Sequence, residues 1–188
     1  MSIIVIGFVT LDGIVTDPTG SEGTPLGGWA LRHGREAIDG DKFRLGRTLD
    51  DGVLLFGRTT WQIFSRLWPG REGPFAARMN AVPKLVASRT LSDADSAAWA
   101  NSTILEGDVI DAVKQEPRDV VVIGSLSLVH RLMTEDLIDE YRLLTFPTVL
   151  GTGDRLFPAG GRPAHLECVS AQQAGAAAVL TRYRRASR

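Results

Sequence analysis

Residues 53–61 read Val-Leu-Leu-Phe-Gly-Arg-Thr-Thr-Trp (VLLFGRTTW). Val53 to Phe56 form an unbroken apolar run, the pattern of a short strand buried on both faces. From Thr59 onward the residues read as the start of a helix. Gly57, Arg58, Thr59 and Thr60 stand at the junction. Glycine lets a backbone come close, hydroxyls add donors, and arginine offers a bidentate fork for phosphate. The same residues also suit a plain turn into a hydroxyl-capped helix.

Two further strand ends repeat this chemistry. Residues 84–88 (KLVAS) run through Ser88 into Arg89 and Thr90, and Val120–Ile123 runs into Gly124, Ser125, Leu126 and Ser127. In open parallel sheets, ligands bind outside the carboxyl ends of strands. Helix N-termini there present free N–H groups and a partial positive charge. One ligand with several phosphates therefore fits all three junctions. A dinucleotide with a pyrophosphate and a further ribose phosphate needs two helix N-termini and an extra arginine, for which Arg58 and Arg89 are the candidates. The G-x-G-x-x-G and G-x-x-x-x-G-K-[ST] signatures are absent.

Working outward, residues 3–9 form a β-branched apolar run and predict a central strand. Residues 16–30 are rich in Gly and Pro and predict a long loop, either functional or disordered. Spacing predicts a helix over 35–49, with Ile38, Phe43, Leu45 and Leu49 inward. Helices are expected at 60–67, 74–80, 107–115 and 125–133, with a helical turn at 93–98. Strands are expected at 102–106 and 138–146, and a closing hairpin at 165–173 and 176–184, joined near Gly175. Cys168 falls in that hairpin and reads as buried. Strands alternate with helices early and stand alone at the end. The expectation is an α/β fold with a mostly parallel central sheet and an antiparallel C-terminal edge hairpin.

The chain has 188 residues, 44% hydrophobic and 23% charged, which fits a single domain over 1–188. A net charge of −1 provides no global field for nucleic acid or an acidic membrane, so neither is expected as a partner. Lysine is scarce beside arginine, being confined to Lys42, Lys84 and Lys114. One cysteine and three scattered histidines make no metal motif, so no metal is expected. The apolar N-terminus lacks a basic n-region, and no segment nears the roughly 20 apolar residues of a membrane span. A cytoplasmic protein is expected.

Gly57-Arg58-Thr59-Thr60-Trp61 resembles the Gly-Arg-x-Thr-Trp motif of dihydrofolate reductases. Ser88-Arg89-Thr90 resembles their 2′-phosphate segment. Ile123-Gly124-Ser125 resembles their Gly-rich turn, with Ser125 replacing the second glycine. The closer resemblance is to the C-terminal reductase domain of the bifunctional deaminase–reductase of riboflavin biosynthesis and its stand-alone relatives. It rests on Thr10-Leu11-Asp12-Gly13, on Gly124-Ser125-Leu126-Ser127-Leu128, and on Leu137-Ile138-Asp139-Glu140-Tyr141 followed by Pro147, Leu150-Gly151-Thr152-Gly153 and Leu156-Phe157. It runs from about residue 3 to residue 183; the deaminase zinc motif is absent.

The resemblance implies a three-layer dihydrofolate reductase-like fold. It also implies an NADPH-dependent reductase that passes hydride to a small pterin-like or aminopyrimidine-like heterocycle beside the first strand. Gly57, Arg58, Thr59, Thr60, Ser88, Arg89, Thr90, Gly124, Ser125, Leu126 and Ser127 are then the cofactor-binding residues. Gly34 stands where a pterin-gripping carboxylate would follow Trp29, so the pattern departs from ordinary folate reduction. Asp12 is the candidate catalytic and substrate-binding residue, or else an Asp-Gly turn residue. Trp29 is the candidate cleft wall, and Trp61 is expected in the core. Asp139 and Glu140 are expected to be structural or interface residues, and His130 is given no partner. A homodimer is the expected assembly. The alternative is an NADP(H)- or flavin-binding protein without turnover.

Overall fold

The computed structural model describes residues 1–186. Eight strands form one sheet: β1 Ile3–Thr10, β2 Val53–Gly57, β3 Lys84–Ala87, β4 Ser102–Ile104, β5 Val120–Ile123, β6 Glu140–Phe146, β7 Leu166–Ala174 and β8 Ala178–Arg185. Their spatial order is β4-β3-β2-β5-β1-β6-β8-β7. All pairs from β4 to β6 are parallel, and β6–β8 and β7–β8 are antiparallel. The mostly parallel sheet with its antiparallel edge hairpin is therefore observed.

Period-two alternation divides the central strands between two cores. Ile4, Ile6, Leu54, Phe56, Val121, Leu144 and Phe146 face one side, against Trp61 and Trp68, Ala76 and Met79. Those four belong to, or directly follow, helices α2 Arg58–Leu67 and α3 Pro74–Ala81. Ile3, Val5, Val53, Leu55, Val120 and Val122 face the other side. Helices α5 Val109–Gln115 and α6 Leu126–Thr134 cover that face with Ile110, Val113, Val129 and Leu132. The result is three layers, the arrangement that lets central strands be apolar on both faces. Short helices α1 Arg47–Asp51 and α4 Asp93–Ser96 and a 3-10 turn at Leu31–His33 are also present.

The expected helix over 35–49 is corrected. Residues 35–46 are successive turns, and only the five residues of α1 are helical. The Asp41 carboxylate accepts the Leu45 and Gly46 N–H groups, each at 2.8 Å, offering the backbone an alternative to the helical ladder. Arg44 at φ 51 and Gly46 at φ 52 then break the right-handed run. Phe43, Leu45 and Leu49 are still buried, and Ile38 is partly buried against the same core. Their inward placement survived the loss of the helix.

The loop 16–30 is ordered by a buried acid. The Asp17 carboxylate accepts Glu22 N–H, Thr24 N–H and the Thr24 hydroxyl, all at 3.0 Å. Cys168 is exposed on β7 rather than buried, because β7 is an edge strand with a mostly solvent-facing surface. Asp139 and Glu140, expected to be structural or interface residues, make contacts within the chain: Asp139 Oδ2 accepts Ile3 N–H at 2.8 Å. Glu140 lies buried among Arg142, Arg182 and Arg184. Among the described residues, no helix is long and apolar enough to cross a membrane.

Candidate functional site

β3, β2, β5 and β1 are adjacent and parallel, so their carboxyl ends emerge along one edge of the sheet. Residues far apart in sequence meet there. Gly57 N–H donates to Ser125 Oγ at 2.6 Å, Ser125 N–H donates to Thr60 Oγ1 at 3.0 Å, and the two hydroxyls lie 3.1 Å apart. The end of β2 is thereby latched to the end of β5. The contact needs two glycines. A Cβ on Gly57 would fall 2.5 Å from Ser125 Oγ, and one on Gly124 would fall 2.8 Å from Thr60 Oγ1. Gly124 and Ser125 take positive φ values of 62 and 53, which turn the chain sharply into α6.

The third junction joins through arginine. Arg58 Nη1 donates to Thr90 Oγ1 at 2.8 Å, linking the start of α2 to the loop after β3. Ser88 Oγ accepts the Thr90 and Leu91 N–H groups at 3.2 and 3.0 Å, a hydroxyl-closed turn. Thr59, Arg89 and Ser127 are exposed and Leu126 is half-buried. Neither α2 nor α6 has a side-chain cap, so their first-turn N–H groups carry no side-chain acceptor. Two uncapped helix N-termini and two exposed guanidiniums on one edge suit an anionic ligand. Arg58 Nη1, Ser88, Thr60 and Ser125 also make contacts within the chain, so they serve as scaffold in this form.

Asp12, at the end of β1, is a loop clamp. Its carboxylate accepts the Thr10 hydroxyl at 2.6 Å, Gly151 N–H at 2.8 Å and Leu150 N–H at 3.3 Å. These hydrogen bonds, the Thr10 hydroxyl foremost, hold its pKa at about 2. It is therefore a carboxylate acceptor at neutral pH and no proton donor. Its backbone oxygen also accepts from Arg155. Trp29 is 1% exposed, donates its indole N–H to Thr16 O at 2.8 Å and packs edge-on against Phe146. It is part of the core rather than an exposed wall. Trp61 is in the core, with its indole N–H on Ser102 Oγ at 3.0 Å. His130, which sequence leaves unpartnered, lies 3.2 and 3.0 Å from the carbonyls of Arg155 and Leu156.

Beside β1 lies a group that sequence reasoning missed. Lys42 Nζ sits 5.6, 5.9 and 5.8 Å from the ring centroids of Phe8, Phe43 and Phe75. Burial lowers its pKa to about 8. His33 is half-buried, tilted against the Phe146 ring and 2.8 Å from Thr148 Oγ1. The available signal was the scarcity of lysine: two of the three lysines, Lys42 and Lys84, are withdrawn from bulk water. Two hollows of about 230 and 400 Å³ open elsewhere, one beside Lys42 and Gly175, the other beside Ser2 and Glu140. Neither is lined by the strand-end motif residues, so topology and donor chemistry mark that site rather than cavity size. Among the described residues, no group of three His, Cys, Asp or Glu is placed to hold a metal.

The sequence model of the RibD C-terminal domain family matches residues 1–180. YyaP, an uncharacterized protein of Bacillus subtilis (strain 168), is 31% identical over 112 residues, covering 56% of this chain and 58% of that protein. The match thus spans little more than half of that relative's length. A solved structure from Shewanella sp. PV-4, provisionally named as a riboflavin biosynthesis protein, aligns with a TM-score of 0.73 at 21% identity. The alignment covers 100% of both chains, and at that identity it speaks for the fold.

Proposed function

The chain belongs to the RibD C-terminal domain family, and from that premise we propose that it is an NADPH-dependent reductase of a small heterocyclic substrate. Membership by itself implies a reductase-like function in riboflavin biosynthesis. The cofactor and the substrate ring, pterin-like or aminopyrimidine-like, are the finer part of the proposal. The observation that carries it is the latch at the strand ends, where Gly57, Thr60, Ser125, Arg58 and Thr90 join three junctions into one edge.

The chain's residues fit a dinucleotide phosphate chain. The uncapped starts of α2 and α6 offer N–H donors. Arg58 and Arg89 are exposed cations on the same edge, with the bidentate geometry that phosphate takes. Gly57 and Gly124 keep the two backbones close enough for one ligand to meet both helices. Arg89 is the group assigned to a 2′-phosphate. When bound, reduced nicotinamide supplies the hydride. Asp12 holds residues 150–151 in place at the end of β1, so its role is positioning. A homodimer is the proposed assembly, checked by sedimentation.

The test is binding of NADPH against NADH, read by fluorescence quenching. NADPH is expected to bind more tightly, and Arg89→Ala should erase most of the difference. Arg58→Ala should weaken both. Equal wild-type affinity for the two dinucleotides would remove the 2′-phosphate assignment. No binding of either would remove the reductase reading. Binding of NADPH with no oxidation across a broad heterocycle panel would leave a nucleotide-binding protein without turnover.

A further inference from the structure

We propose that Lys42 and Arg71, with the indole N–H of Trp68, form a subsite that binds an anionic oxygen group of the ligand, a carboxylate or a phosphate. It rests on the reductase reading only in taking that ligand to be the substrate. The three groups share one aromatic wall. Phe75 touches both ends of it, 5.6 Å from the Trp68 ring and 5.8 Å from Lys42 Nζ. The Arg71 guanidinium lies 5.0 Å over the Trp68 ring. Phe8 extends the wall to β1, 5.6 Å from Lys42 Nζ, and Asp12 lies just beyond the end of that strand.

All three groups are donors with no acceptor capacity. Trp68 is 6% exposed, and among the described residues its Nε1 is the buried side-chain polar atom without a partner. A buried N–H left unpaired is unfavourable and calls for an explanation. Among the described residues, Lys42 Nζ makes no hydrogen bond or ion pair; its contacts are with the rings. Arg71 is close enough for its charge to act on Lys42. Two like charges thus converge on an apolar wall beside an orphaned donor. The carboxylates that face Lys42 do not resolve this. Asp39 and Asp41 act on it at a distance, and the Asp41 oxygens accept Leu45 and Gly46 N–H. An incoming anionic oxygen group supplies the missing acceptor and offsets the repulsion, while a flat ring attached to it lies on Phe8 and Phe75.

The probes are benzoate and phenyl phosphate, with benzamide as the uncharged control, titrated calorimetrically into the whole chain. At least one anion should bind, and benzamide should bind about tenfold more weakly or worse. The tighter of the two anions identifies the group as carboxylate or phosphate. Lys42→Met and Arg71→Gln should each lower anion affinity about tenfold; Arg71 is exposed, so its variant tests the idea without threatening the fold. The Trp68 indole proton, assigned with Trp68→Phe, should shift on binding. Benzamide binding as tightly as the anions, or unchanged affinity in both variants, overturns the subsite. NADPH binding measured in parallel keeps the two readings apart. Loss of that binding with anion binding intact sinks only the reductase reading, and the reverse sinks only this one.

Discussion

Gly57→Ala tests the latch that organises the strand ends. Gly57 has φ −88 and ψ 168, a backbone conformation open to alanine. Any cost therefore comes from the contact and not from the dihedral angles. The added Cβ would lie 2.5 Å from Ser125 Oγ, roughly 0.9 Å inside the 3.4 Å at which ordinary contact begins. Overpacking of this kind costs about 2 kcal/mol. Displacing Ser125 also weakens the 2.6 Å Gly57 N–H bond, for about 1 kcal/mol more. Ser125→Gly loses the same bond but relieves a serine at φ 53, and these effects of about 1 kcal/mol each nearly cancel. In the double variant the obstacle is gone and the shared bond is lost only once, so nearly all of the Gly57→Ala cost should disappear, a coupling of about 3 kcal/mol. Urea melts of the four proteins, followed by circular dichroism with m unchanged, measure this cycle. Additive losses, or a Gly57→Ala cost below about 0.5 kcal/mol, would refute the reasoning.

Lys84 is fully buried, and its ammonium reaches the carbonyls of Asn80, Val82 and Ala100 at 2.9, 2.7 and 2.9 Å. Lys84→Met removes all three bonds, leaving Asn80 O only the Asn101 amide at 3.3 Å, and should cost about 3 kcal/mol in a urea melt; a loss under about 1 kcal/mol would count against the clamp. Burial lowers its pKa from 10.5 to about 8, so between those values the unfolded chain binds the proton and the native chain does not. Stability should rise with pH across that window, and the rise should shrink in Lys84→Met. Glu140 receives Arg142, Arg182 and Arg184 at 2.5, 3.0 and 2.8 Å, and of the three only the Arg142 guanidinium is buried; Glu140→Gln leaves that buried charge uncompensated and should cost about 3 kcal/mol, seen as a lower urea midpoint. Asp12→Asn should speed amide exchange at Leu150 and Gly151, whose N–H groups the carboxylate holds. Because the folded pKa of Asp12 is lowered to about 2, its clamp should be complete above the unfolded carboxylate range and lost as pH falls toward 2; exchange at those amides unaffected by acid would refute it.

The sheet was legible because its signals are local. Val53–Phe56 and Val120–Ile123 are apolar without a break, and such runs are stable only between two covering layers. The inward set Phe43, Leu45 and Leu49 was legible even where the helix was not. Hydrophobicity decides burial, whereas the backbone of 35–46 was decided by a competing hydrogen bond from Asp41. Cys168 was misjudged because strand pattern alone does not say which strand ends at an edge.

The strand-end motifs were also visible in the sequence, each as a run of small and hydroxyl residues after an apolar strand. What the sequence determined by itself was therefore the alternation of elements, the residues driven inward and the chemistry at each strand end. Only the tertiary structure decided which of those ends meet. The Gly57–Ser125 contact joins residues 68 apart, and it exists because β5 inserts between β2 and β1 in the sheet order. The same holds for the wall of Phe8, Phe75 and Trp68 around Lys42 and Arg71. Hydrophobic periodicity acts over a few residues and can be read along the chain. A convergence of donors arises from packing between distant segments, where sequence distance carries no information about spatial distance.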